Sequence, residues 1–510
     1  MRDHVRRALI SVFDKSGVEE LAKGLHEAGY EIVSSSGTAN YLKEHGLSVR
    51  EIADLSGYPH ILGGRVKTLH PSVLGGILAR RDFDADLADV EKWNIPLIDV
   101  VVCNLYPFEE VAKRKADLGD LIENIDIGGV TLIRAAAKNY RYVTIVTDPR
   151  DYGTVIEEIK SLGNVSIKTR QRLALKAFAA TASYDSIIHF ALSKAMKEED
   201  LFPDVYPVSL KKAASLRYGE NPYQRAALYA QPLQKLPFKQ LGGSELSYNN
   251  ILDAEAAVKG ILLLGDRAGC VIIKHTTPCG MAIGKDLPSA YEGALACDPL
   301  SAYGGIIGLT REVDKDTAVK LASKFYEIIV APGFSTEAVE VFKEKRPNLR
   351  LISFDLSKRD ELRLTKTAFG FLAQEDVMAP DPDFEGGEWT GERRPELKDD
   401  ALVAWKAAAL AKSNAIALAK DGATVAIASG FTSRVDAVEW AVRHAGQKAK
   451  GSVLASDGFF PFPDSIEIAA RADIALILQP GGSKRDEEVK EACIKHRIPM
   501  LMTKMRAFRH

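Results

Sequence analysis

The sequence predicts an α/β protein, with a doubly wound parallel sheet at its N-terminal end and two further α/β halves of similar plan behind it. Three observations carry that reading. Short apolar runs alternate with helix-periodic segments between Ala8 and Thr147, the order that builds a parallel sheet from strand–helix–strand units. One run, residues 97–105, is apolar almost throughout, as a strand covered on both faces must be. Beyond Asn250, a helix–turn–strand order occurs twice.

Taken in order, residues 8–13 form the first apolar run, and residues 18–28 place Leu21, Leu25 and Ala28 on one helical face. Residues 30–33 follow as a second strand, 38–44 as a helix ended near Gly46, and 48–52 as a weaker third strand. After the buried run come a helix over 130–138, a strand over 142–147 and a long helix over 165–196. Residues 197–212 are charged and carry Pro203 and Pro207, which marks a linker between a first domain, 1–196, and a second, 213–510. In the second domain a helix over 254–264, a turn at Gly265–Asp266 and a strand over 270–273 are echoed by a helix over 402–418, a turn at Asp421–Gly422 and a strand over 424–428. Each set precedes a loop, a helix and a small-residue segment with an aspartate, Asp298 or Asp457. Chance likeness is the rival to a true repeat. The polar, proline-bearing stretch 358–395 is the seam, leaving subdomains of about 213–360 and 396–510.

A chain of 510 residues exceeds what one core serves. With 46% hydrophobic and 27% charged residues and a formal net charge of −2, it has the composition of a globular protein and no broad cationic face for nucleic acid or membrane. Anions must therefore be held by local Lys and Arg clusters. The five cysteines form no CxxC pair, so neither a disulfide nor a zinc framework is indicated and a reducing compartment, the cytoplasm, is expected. Residues 8–12 are too short for a signal-peptide core, and no apolar run approaches the ~20 residues of a membrane span.

Several segments could carry chemistry. Ser34–Ser35–Ser36–Gly37–Thr38 joins a strand to a helix, where outward amides and hydroxyls favour a phosphate, or else simply cap the helix. Gly63–Gly64–Arg65–Val66–Lys67–Thr68 offers close backbone approach and two cations on one side of an extended segment; a basic surface loop is the plain alternative. Tyr106 ends the buried run as either a core-rim aromatic or an acid–base group. Asp126 opens the helix that carries Arg134 and Lys138, which share a face at i, i+4 and are either functional or merely solvated. Lys274–His275 follows a strong strand and is a candidate for proton transfer, although a lone histidine is usually structural. Pro278–Cys279 lacks the second cysteine of a zinc deaminase, so no metal is expected. The turn-rich segment 216–222 and the loop 479–486 are weaker signals.

Together these motifs resemble the family of bifunctional purine-biosynthesis enzymes that join phosphoribosylaminoimidazolecarboxamide (AICAR) formyltransferase to IMP cyclohydrolase. Residues 64–71, 103–108 and 126–132 match the cyclohydrolase half; Leu216–Arg217–Tyr218–Gly219, Lys274–His275–Thr276, Phe459–Phe460–Pro461–Phe462 and the C-terminal Arg506, Phe508, Arg509 and His510 match the formyltransferase half. The resemblance implies a methylglyoxal-synthase-like N-terminal domain and two cytidine-deaminase-like C-terminal subdomains without zinc. It implies a homodimer with formyltransferase sites at the interface, small-molecule nucleotides (AICAR, formyl-AICAR, IMP) as ligands, and 10-formyltetrahydrofolate as co-substrate. It also implies roles. His275 accepts the proton and Lys274 stabilises charge. Arg217, with Arg506 of the partner subunit, holds phosphate, and Tyr218, Asn250, Glu327, Arg346 and Asn414 surround the nucleotide. Arg434, Phe459, Phe462 and Asp464 neighbour the folate. Lys67, Tyr106, Asp126 and Lys138 serve ring closure, with Lys15, Ser35, Thr38, Arg65 and Thr68 on phosphate.

The chain departs from the family pattern at five places. Phe13 stands for a serine and Ser36 for a glycine, both in the phosphate loops; Thr277 stands for an asparagine. Phe431–Thr432 displaces a glutamine near the folate neighbourhood, and Ala409 a lysine five residues before Asn414. Free formate with ATP is the alternative donor. A phosphorylated-metabolite sensor would need the phosphate cluster without the acid–base set. A methylglyoxal synthase would not need the C-terminal extension, and a hydrolytic deaminase would need metal ligands.

Overall fold

The computed structural model describes residues 5–114, 116–198, 200–233, 235–357 and 362–510. The residues before Val5, Glu199 of the expected linker and residues 358–361 of the expected seam lie outside them. The chain divides into two compact units, Met1–Lys211 with Ala230–Lys235, and Lys212–Tyr229 with Leu236–His510.

The first unit is built on five parallel strands in the order Arg50–Glu51, Glu31–Ser34, Arg7–Ser11, Val100–Cys103, Thr144–Val146. Ala8, Leu9, Ile10 and Val100 to Val102 are buried to within 1% because helices cover both sheet faces, which is why that apolar run shows no alternation. The chain leaves Arg7–Ser11 toward one edge and returns to its other side with Val100–Cys103. The carboxyl ends of those two strands thus flank the switch point where such sheets bind ligands. The expected third strand shrinks to Arg50–Glu51, since the helix Ile52–Ser56 begins at once. The helix Pro71–Leu78 has no amphipathic period to announce it. His70 caps it through Nδ1, and Gly76 lets it touch the Pro96 carbonyl, where a Cβ would stand 2.0 Å away.

The second unit is built on a twelve-stranded sheet that contains its own repeat. In the first half the hairpin Gly269–Lys274/Thr277–Ile283 is followed by parallel Ile306–Leu309, Ile328–Ala331 and Arg350–Phe354, closed by antiparallel Phe238–Gly242. In the second, the hairpin Ile416–Lys420/Ala423–Ala428 is followed by Val453–Ser456, Leu476–Gln479 and Met500–Met502, closed by antiparallel Glu388–Thr390. The halves join where Ala282 pairs with Ala423. The helices Tyr248–Leu264 and Lys398–Leu410 share one core on one face, with Trp405 fully buried in it.

The repeat is therefore real, but its register differs from the sequence expectation. The helix expected over 402–418 ends at Leu410, and Ile416–Lys420 is a strand, the true counterpart of Gly269–Lys274. Residues 415–419 are fully buried, so an Ala/Leu-rich central strand shows no period-2 pattern and passes for a continued helix.

Candidate functional site

In the first unit, the loops beyond Arg7–Ser11, Glu31–Ser34 and Val100–Cys103 gather at the start of the helix Gly128–Lys138. Asn104 fastens them: its Oδ1 accepts from the Phe13 and Asp14 amides at 2.7 and 3.0 Å, and its Nδ2 donates to the Asp14 carbonyl at 2.9 Å. Thr38 donates its hydroxyl to the Val12 carbonyl at 2.9 Å, so it holds the loop rather than standing free for a ligand. Ser35 is the N-cap residue of the helix Ser36–Glu44 and makes no side-chain cap bond. Ser36 is held at φ +50°, a conformation that glycine reaches without a steric cost. Phe13 packs edge-to-face on Tyr106 at 5.7 Å, replacing the hydroxyl of the family pattern with an aromatic wall. Lys15 Nζ donates to the Phe13 carbonyl at 3.4 Å.

Asp126 is the centre of this site. Its Oδ1 accepts from the Gly129 amide at 2.7 Å, and its own amide donates to the Tyr184 hydroxyl at 2.8 Å. Gly129 is required there, because a Cβ would lie 2.5 Å from Asp126 Oδ2. Burial pushes the Asp126 carboxyl above the ordinary range, opposed by the Gly129 and Tyr106 amides and by Lys67. Burial and then Asp126 push the Tyr106 hydroxyl up in turn. Thr68 is buried against the same helix start, 3.1 Å from where a Gly128 Cβ would stand. Arg65 lies at the exposed rim, paired with Glu123. Lys138 closes the helix whose first amides hold Asp126, about 15 Å along the axis from Gly128 at 1.5 Å per residue. Arg134 stands over the Phe178 ring at 5.6 Å. Sequence reasoning gave no role to Asn104, although a polar residue straight after a buried strand was visible. Tyr184, arriving from the helix Ile167–Met196, carried no local signal.

In the second unit, one polar cluster forms where Gly269–Lys274 ends and the neighbouring parallel strands begin. Lys274 Nζ donates to the Tyr303 carbonyl at 2.9 Å. His275 and Thr276 are the two turn residues, at φ +53° and +61°. Asp253, unremarked in the sequence, accepts from the Thr276 amide at 2.6 Å, and burial raises its carboxyl while His275 and Lys274 oppose that rise. Asn250 Nδ2 donates to Glu327 Oε2 at 3.2 Å, and Arg350 reaches the same oxygen at 3.4 Å. Arg217 lies over the Tyr218 ring at 4.7 Å and donates to its hydroxyl at 2.8 Å; burial and then Arg217 lower the Arg350 pKa, opposed by Glu327. Arg346 is elsewhere: its Nε donates to the Ala322 carbonyl at 3.0 Å, at the end of the helix Thr336–Lys345. The arginine on Glu327 is Arg350, because that residue, four positions on, opens the next strand.

In the other half of the sheet, a cleft of about 480 Å³ is lined by Asn414, Arg434, Phe459, Phe462, Asp464 and Phe508, among others. Arg434 is buried, donates to Ser456 Oγ at 2.7 Å and to Asn414 Oδ1 at 2.6 Å, and pairs with Asp457. The Phe508 ring faces both Arg434 and Arg506, at 6.0 and 5.1 Å. The loop after Leu476–Gln479 sets Arg485 over the Phe462 ring at 4.8 Å. Among the described residues, no group of three or more His, Cys, Asp or Glu side chains is placed to hold a metal ion, and no helix is long and apolar enough to cross a membrane.

Each unit thus gathers cationic and titratable side chains of its own, Lys67, Tyr106 and Asp126 in one and Lys274, His275 and Asp253 in the other. Comparison with known proteins makes the class specific. The family described as AICARFT/IMPCHase bienzyme matches residues 136–444, and the MGS-like domain matches residues 17–131. The bifunctional purine biosynthesis protein PurH of Persephonella marina is 47% identical over 519 residues, covering 99% of this chain and 100% of that protein. Its namesakes in Thermoanaerobacter sp. and Aquifex aeolicus are 47% and 46% identical, with the same coverage. A solved structure titled "Crystal structure of ForH" is 38% identical over 37% of this chain and 97% of its own, with a TM-score of 0.34. The chain belongs to the AICARFT/IMPCHase bienzyme family: it is a bifunctional enzyme of purine biosynthesis, an AICAR formyltransferase and an IMP cyclohydrolase.

Proposed function

We propose that Lys274 and His275 carry formyl transfer from 10-formyltetrahydrofolate to AICAR, and that Lys67, Tyr106 and Asp126 carry ring closure to IMP. The observation behind both assignments is the separate clustering of the two acid–base sets, one in each unit. The 5-amino nitrogen of AICAR is a weak nucleophile because its lone pair is delocalised into the ring. It attacks the formyl carbon as His275 takes its proton, Lys274 offsets the charge on the formyl oxygen, and the tetrahydrofolate nitrogen leaves with a proton. Arg217 holds the phosphate and Tyr218 the ribose side. The cleft of Phe459, Phe462, Arg434 and Asp464 takes the aromatic donor, whose flat rings suit two phenylalanine faces. His275 and this cleft belong to different halves of the sheet, which supports completion of the site in a homodimer, with Arg506 of the partner subunit on the phosphate.

In ring closure the carboxamide nitrogen attacks the formyl carbon, a C–N bond forms, and water leaves. Asp126 accepts the nitrogen's proton, and Lys67 and Tyr106 assist the departing oxygen. The reaction is intramolecular, so modest acid–base help suffices. Lys15, Ser35, Arg65 and Thr68 hold phosphate, and Thr38 acts through its loop bond. Neither step uses a metal. We place the enzyme in the cytoplasm, in keeping with five free cysteines.

The test is a product assay with AICAR and 10-formyltetrahydrofolate. IMP formed with matching tetrahydrofolate release is expected. Formylation by formate with ATP but not by the folate contradicts the donor assignment.

A further inference from the structure

The hairpin that presents His275 recurs in the second half of the sheet, and so does the bond that holds it. Gly269–Lys274 turns into Thr277–Ile283 through His275 and Thr276, at φ +53° and +61°. Ile416–Lys420 turns into Ala423–Ala428 through Asp421 and Gly422, at φ +53° and +75°. Both are two-residue turns with positive φ at each central position, a geometry that favours Asp-Gly. In each, the amide of the second turn residue donates to an aspartate on the helix before the hairpin. Thr276 donates to Asp253 Oδ1 and Gly422 to Asp400 Oδ1, both at 2.6 Å and across 23 and 22 positions of sequence.

The first half differs in what the turn contains. Its second residue is a β-branched threonine, for which the left-handed region is sterically strained. Such strain persists only where the surroundings fix it, and it concentrates at functional sites. Asp253 is buried on the helix Tyr248–Leu264, and its bond reaches the strained residue itself.

We infer that Asp253 is a positioning residue for formyl transfer: through the Thr276 amide it holds the strained turn that aims His275 at the substrate. This rests on the assignment of His275 above. In the second half the same bond supports an unstrained Asp-Gly turn.

AICAR formylation by the full-length chain is measured for His275→Ala, Asp253→Ala, Asp253→Asn and Asp253→Ala with Thr276→Gly. Asp253→Ala lowers kcat about 10²-fold, the scale of a 1 Å misplacement, with KM for AICAR changed less than about 3-fold. Thr276→Gly on that background recovers at least about tenfold, because glycine adopts the turn without strain. Asp253→Asn keeps the acceptor and stays within about 3-fold of the parent, which gives a reading even where Asp253→Ala fails to fold. With His275→Ala inactive, any one of three results overturns the proposal: a full-rate Asp253→Ala, a double variant no faster than the single one, or an Asp253→Asn as slow as His275→Ala. A full-rate His275→Ala instead removes the assignment on which the proposal stands.

Discussion

Asp126 shows how function and stability oppose each other at one residue. Its folded carboxyl titrates above the ordinary value because it is largely buried. A group raised in this way adds stability below its unfolded pKa and loses it as pH rises through the folded one, so toward neutral pH this buried carboxyl weakens the fold. Asp126→Asn keeps an acceptor for the Gly129 amide and removes the charge. Thermal unfolding at pH 7 should show it more stable than the parent by up to about 1 kcal/mol, the gain fading toward pH 4, with cyclisation down at least about 10²-fold. An Asn variant that melts lower at pH 7 contradicts the burial argument. This residue was legible in sequence because Asp126–Ile127–Gly128–Gly129 is a local motif. Arg350 was not: Arg346 and Arg350 flank one short turn, and only the strand register decides which reaches Glu327.

At the scale of elements, legibility followed periodicity and length. Strands covered on both faces were found at Val100–Cys103 but merged with a helix at Ile416–Lys420, since a doubly buried strand has no alternation to separate it from Ala-rich helix. Arg134 and Lys138 lie in one helix at the i, i+4 spacing that the sequence shows, and the rise of that helix sets Lys138 about 15 Å along the axis from Gly128. The same helix supports a prediction. Alanine in a helix is ordinarily favoured over glycine by about 1 kcal/mol. Gly129→Ala nonetheless drives a Cβ to 2.5 Å from Asp126 Oδ2 and displaces the carboxylate. Conversion of formyl-AICAR to IMP should fall by about 10²-fold while AICAR formylation is kept. An alanine variant that cyclises at the parental rate refutes the fixed carboxylate.

The whole molecule reads as two enzymes on one chain, each with its own sheet and core. The repeat in the second unit was visible in sequence only as a recurring order of elements. Its register was hidden because Ile416–Lys420 is buried on both faces and shows no alternation. The central claim is that the chemistry is divided between Lys67, Tyr106 and Asp126 in one unit and Lys274 and His275 in the other. It is tested most directly by mixing two inactivated proteins. Lys67→Ala should convert AICAR to formyl-AICAR and stop, and His275→Ala should cyclise formyl-AICAR but make none from AICAR. Combined in one tube with AICAR and 10-formyltetrahydrofolate, the two should produce IMP. Loss of both activities in either well-folded variant, or a mixture that makes formyl-AICAR and no IMP, contradicts the division.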